Sequence, residues 1–150
     1  MKIKYLSVCE DNQDLCKYVE TGDILISNER LYTSKVGTCS ILMFKLLDLN
    51  VMAHIDAGET KKEYLIEKIK NTFSDFELKN IKKIYLIIGP WCDKYCYENN
   101  NTKCECHSIQ IAKNTLVELD LIDKLYILEE DEANMTWETD IWFDGKIIIK

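Results

Sequence analysis

A chain of 150 residues is long enough for one substantial core, and a net charge of −7 argues against a clustered basic face for nucleic-acid phosphates. Apolar residues make up 47% and charged ones 30%, the balance of a soluble globular domain rather than a disordered segment. The longest apolar stretch, Ile41 to Ala53, is broken by Lys45 and Asp48, so no membrane insertion is expected.

Lys2 to Cys9 alternates weakly and reads as a first strand; the chain then turns polar from Glu10 to Asp14, too early for a signal-peptide core. A cytoplasmic location is the resulting expectation. The seven cysteines are then expected as thiols or metal ligands rather than bridges. Asp23 to Ser27 is a short strand. Cys39 to Leu47 is apolar at nearly every position, which fits either a strand buried on both faces or a buried helix. Asp48-Leu-Asn50 reads as a turn and Val51 to Ile55 as the returning strand. Thr60-Lys-Lys-Glu63 is a capping-box pattern that opens a helix carrying Tyr64, Leu65, Ile69 and Phe73 on one face.

Lys83 to Gly89 is a buried strand, and residues 91–107 form a polar, cysteine-rich loop. Ser108 to Leu121 makes a second amphipathic helix through Ile109, Ala112, Leu116 and Leu119. The acidic run Glu129 to Glu132 reads as a solvated face. Leu125 to Leu128, Thr136 to Phe143 and Lys146 to Ile149 complete the strands, with a hairpin at Asp144-Gly145. Trp137 and Trp142 fall on strand patterns as core or sheet surface, while Trp91 is placed to line a substrate groove. The whole is one α+β domain over 1–150: layered antiparallel and mixed β-sheets with two main amphipathic helices packed outside.

The chemistry concentrates in Thr33-Ser-Lys-Val-Gly-Thr-Cys39 and in His54, fifteen residues beyond the cysteine. A thiol is only a few per cent ionised at neutral pH, so a nucleophilic cysteine needs a base. Only His54 and His107 are available as imidazoles. In this reading Cys39 attacks a carbonyl carbon, and His54 relays the thiol proton to the leaving group. Water then opens the thioester. Main-chain amides around Gly37, Thr38 and Cys39 are the candidate oxyanion donors. Thr33 and Asp56 are alternatives for orienting the imidazole between which the sequence does not choose, a plain surface carboxylate being the other reading of Asp56. An active pair predicts an acidic Cys39 thiol. The plain alternative is that Cys39 is a core residue, as buried cysteines commonly are.

Thr33-Ser-Lys-Val-Gly-Thr-Cys39-Ser-Ile resembles the T-x-x-x-G-[ST]-C-hydrophobic segment of the bacterial chemoreceptor glutamine deamidases (the CheD family). The resemblance implies a nucleophilic Cys39, a partner His54 and a supporting Thr33. Glu20 to Ser27 and Phe143 to Lys150 resemble that family's opening and closing strands. Thr38-Cys39 with His54-Ile-Asp-Ala-Gly-Glu-Thr-Lys61 also resembles the protein N-terminal asparagine amidohydrolases. The expected activity is hydrolysis of a Gln or Asn side-chain carboxamide in a protein or peptide substrate, with no catalytic cofactor.

Residues 91–107 match neither family. Cys92, Cys96, Cys104, Cys106 and His107 put four thiols and an imidazole within one loop, and any four of them suit a structural zinc ion. Their spacing is not that of a common finger, and free thiols or an adventitious disulfide are the alternatives. The rival to an enzyme is therefore a non-catalytic regulatory or binding domain of the same fold with a zinc-stabilised loop. A different thiol hydrolase on the same scaffold is a third reading.

Overall fold

The computed structural model describes residues 16–56, 58–91, 107–128 and 130–150. They form two sheets. A five-stranded sheet has the order β2-β5-β4-β6-β7, where β2 is Ile24–Ser27, β4 Ser40–Leu46, β5 Leu49–Ile55, β6 Ile84–Ile88 and β7 Leu125–Ile127. A four-stranded sheet has the order β1-β3-β8-β9, where β1 is Cys16–Tyr18, β3 Arg30–Thr33, β8 Ile141–Phe143 and β9 Ile147–Ile149. The helices are α1 (Lys62–Thr72), α2 (Asp75–Leu78), α3 (His107–Glu118) and α4 (Glu130–Ala133).

The long central strands are buried on both faces, and alternation divides their side chains between two cores. Leu42, Phe44 and Leu46 of β4 join Val51, Ala53 and Ile55 of β5 in a core completed by Leu65 and Ile69 of α1 and Ala112 and Leu116 of α3. Ile41 and Met43 point the other way with Met52, and pack on Leu31, Ile141 and Phe143 of the four-stranded sheet. The result is a sheet–sheet–helix layering, the α+β arrangement expected, with α1 and α3 as the two main outer helices.

Several local expectations give way to tertiary context. The turn after β4 is Leu47-Asp48, because Leu46 pairs with Leu49 and Leu47 adopts a positive φ of 58°. Asn50 is consequently a strand residue, buried and donating from Nδ2 to the Glu29 carbonyl at 2.9 Å. The capping box at Thr60 does not form. Lys61 is the N-cap of α1 without a side-chain bond, and the Thr60 hydroxyl instead accepts the Asp56 N–H at 2.8 Å. Ser74 and Glu77 make the reciprocal box, at α2. Tyr64 sits outside the core and donates its hydroxyl to Asp23 at 2.7 Å.

The strand expected from Thr136 shortens to β8, since Thr136 and Thr139 close their own turn through the Thr136 N–H at 2.8 Å. Trp142 is fully buried and stacks on Tyr32. Cys16 is disulfide-bonded, which corrects for that residue the expectation of thiols or metal ligands, whereas Cys39 is a free thiol. That expectation rested on a reducing compartment, a property of the surroundings that composition does not encode. The strand expected at Lys2 to Cys9 lies outside the described residues. Among the described residues no helix is long and apolar enough to cross a membrane.

Candidate active site

Thr33 and His54 come from different sheets and meet between them. Thr33 ends β3 and His54 lies near the end of β5; both are fully buried, with Thr33 Oγ1 at 2.7 Å from His54 Nδ1. The His54 backbone is fixed independently by the Gly22-Asp23 turn. The Gly22 N–H donates to the His54 carbonyl at 2.8 Å, and the His54 N–H donates to the Asp23 carbonyl at 3.0 Å. Gly22 takes a positive φ of 87°, which suits glycine at this turn.

The hydroxyl of Thr33 determines the tautomer of His54. Thr33 Oγ1 donates to the Val19 carbonyl at 2.8 Å, and a carbonyl can only accept. A hydroxyl has one proton, so toward the imidazole it must accept. The proton on His54 is therefore on Nδ1, and Nε2 carries the lone pair. Among the described residues no group hydrogen-bonds that buried Nε2. The imidazole thus has one side anchored and the other carrying an unpartnered lone pair among the described residues.

Cys39 immediately precedes β4, in the same intersheet core as Ile41. Ile41 pairs directly with His54, which puts Cys39 two residues along from the histidine's partner. A hairpin centred on Asp48-Leu49 would have left them four residues apart; the tighter Leu47-Asp48 turn halves that offset. The loop leading to Cys39 is held by the end of β6. The Gly89 N–H donates to the Cys39 carbonyl at 2.9 Å and the Trp91 N–H to the Gly37 carbonyl at 3.1 Å.

Gly37 lies beneath two stacked indoles. Trp91 and Trp137 have ring centroids 4.7 Å apart, and a Cβ on Gly37 would come within 2.7 Å of Trp91. Trp137 is therefore neither core nor strand. It belongs to the roof of the nucleophile loop, with the Lys35 ammonium 5.7 Å from its ring centroid. Sequence patterning gave no hint of that pairing, since the two tryptophans are far apart in the chain.

The electrostatics oppose the expected acidic thiol. Burial, reinforced by the Asp56 carboxylate, pushes the Cys39 thiol up to about 11. Burial also lowers His54 to about 4, with Asp56 opposing the shift. The resting pair is consequently a neutral thiol and a neutral imidazole rather than an ion pair. Asp56 acts through its charge and does not orient the ring; its Oδ1 accepts the Gly58 N–H at 2.8 Å, and Thr33 holds Nδ1.

Thr33→Val should therefore leave the Nδ1 proton without an acceptor. The expected cost is about 1–3 kcal/mol, read as a roughly 5–150-fold slower reaction of Cys39 with a thiol-directed acyl donor. The 15N spectrum of His54 should move toward the other tautomer, a change that general loosening of the fold would not produce.

The proposed zinc donors Cys92, Cys96, Cys104 and Cys106 lie outside the described residues, as does the side chain of His107, whose backbone begins α3. Among the described residues no group of three His, Cys, Asp or Glu side chains is placed to hold a metal ion. Sequence reading overlooked β3 itself, the Val19 carbonyl and two buried hydroxyls beside the nucleophile, Ser40 and Ser108. The signal for β3 was present in Arg30-Leu-Tyr-Thr33, a short run alternating inward Leu31 and Thr33 with outward Arg30 and Tyr32. No family model matches the chain, and no curated protein matches it.

Proposed function

We propose that the protein is a cysteine-dependent amidase that hydrolyses the side-chain carboxamide of Gln or Asn in a protein or peptide. The observation that carries this reading is the proton count at Thr33, which leaves the buried His54 Nε2 as a free base on the side of the histidine not anchored to Thr33. Cys39 Sγ bonds to the carboxamide carbon as its proton passes to Nε2. The tetrahedral oxyanion collapses, the C–N bond breaks, and ammonia leaves with the proton from Nε2. Water then attacks the thioester with His54 again as base, and release of the carboxylate regenerates the thiol. Because the resting pair is neutral, proton transfer accompanies attack rather than preceding it.

The test is ammonia release from three peptide sets carrying internal Gln, internal Asn or N-terminal Asn. One set should be turned over, and Cys39→Ala should abolish the release while keeping the circular-dichroism spectrum. Release that survives in Cys39→Ala would end the proposal. The high thiol pKa and the 8% exposure of Cys39 favour one competing reading, a non-catalytic binding module of the same fold. That module predicts no ammonia from any of the three sets.

A further inference from the structure

Three successive carbonyls in the nucleophile loop each have a separate donor. Gly37 O accepts from the Trp91 N–H at 3.1 Å and Cys39 O from the Gly89 N–H at 2.9 Å. Between them, Thr38 O accepts from Ser108 Oγ at 3.1 Å. Ser108 Oγ also lies 3.0 Å from Ser40 Oγ, and both serines are fully buried. The direction of this chain follows from proton counting. The Thr38 carbonyl can only accept, so Ser108 spends its one proton there and must accept from Ser40.

Across a trans peptide the N–H points opposite to the preceding C=O, and the described residues contain no cis bond. Drawing the Thr38 carbonyl toward Ser108 in the first turn of α3 therefore turns the Cys39 N–H away from that helix. Among the described residues no backbone or side-chain group accepts that N–H, although Cys39 is 8% exposed. A backbone donor beside a nucleophile that no described group engages is open to an acceptor that arrives with the substrate. A developing oxyanion on the carbonyl attacked by Cys39 is the natural acceptor.

We infer that Ser108, backed by Ser40, is a positioning residue that aims the Cys39 N–H at the oxyanion of the tetrahedral intermediate. The inference rests on the amidase reading and adds to it: the first turn of α3, which opens after the cysteine-rich stretch, sets the geometry of the nucleophile loop. The Ser108 hydroxyl is hydrogen-bonded to Ser40 and to the Thr38 carbonyl rather than to the thiol. Its effect runs through one peptide plane.

Two reagents separate this role from general disruption, each followed at Cys39 by peptide-resolved mass spectrometry. p-Nitrophenyl acetate acylates the thiol through a tetrahedral oxyanion and expels p-nitrophenolate. Iodoacetamide alkylates it by displacing iodide at a saturated carbon, with no oxyanion formed. Ser108→Ala should slow acetylation about ten-fold, below the 10²–10³ typical for deleting a donor outright, while alkylation stays within about two-fold. Ser108→Thr should restore the ratio, and Ser40→Ala should shift it in the same direction by less. If Ser108→Ala does not fold, Ser40→Ala carries the test. An unchanged ratio of the two rates, whether both fall or neither does, overturns the positioning role. A wild-type Cys39 that takes iodoacetamide but no acetyl group overturns the amidase reading itself.

Discussion

Replacing Gly89 with alanine is expected to cost at least about 3 kcal/mol of stability, at or above the upper end for inserting a methyl group into a packed site. The added Cβ would stand 2.1 Å from the Gly37 carbonyl oxygen and 2.6 Å from that of Cys39. Both are main-chain atoms, so no flexible side chain can move aside. The strand end must retreat from the nucleophile loop, and the Gly89 N–H bond to Cys39 O is lost with it. Gly58→Ala is the matched control, because among the described residues its Cβ would meet only Asp56 Oδ1, at an ordinary 3.7 Å. Urea unfolding of the two variants should place Gly58→Ala within about 0.5 kcal/mol of wild type and Gly89→Ala far below it. A Gly89→Ala protein as stable as the control would mean that the loop yields easily. Cys39 would then not be held by β6 at all.

Such close backbone packing explains which parts of the molecule are legible in the sequence. The cysteine, the histidine and Thr33 stand out because motif chemistry is local, and the two amphipathic helices stand out because their apolar stripes repeat. The central strands are ambiguous for the opposite reason. Leu42 and Phe44 face one core, and Ile41 and Met43 the other, so apolar residues run without a period. Asn50 misleads because a turn-forming residue has been recruited as a buried donor to Glu29. Thr60 misleads similarly, its hydroxyl serving the amide of Asp56 instead of a helix end. Val19, Thr33 and His54 form one hydrogen-bonded line across two sheets. No window of sequence contains that line, because the layering that assembles it is a property of the whole chain.

The same buried line predicts how the protein responds to acid. His54 is lowered from 6.5 to about 4, chiefly by burial, so between those values the unfolded chain binds a proton that the folded chain refuses. The associated stability is present in full above pH 6.5 and is lost as the pH falls through about 4. Its size is about 3 kcal/mol, because a tenfold change in proton affinity is worth roughly 1.4 kcal/mol. Cys39 works in the other direction. Its thiol is raised from 9.0 to about 11, so its contribution holds below pH 9.0 and fades as the pH rises through about 11. Urea unfolding at a series of pH values should show wild type losing about 3 kcal/mol more than His54→Gln between pH 7 and pH 4. Carboxylate titrations are common to both proteins and cancel in the difference. Parallel curves would mean that His54 accepts its proton in the folded state, and with it that Nε2 is reached by water. That result would bear directly on the chemistry, since a base that is already protonated in mild acid cannot take the Cys39 proton. The burial that makes His54 a liability in acid also lowers its basicity, so the Cys39 proton reaches Nε2 together with attack on the carbonyl rather than ahead of it.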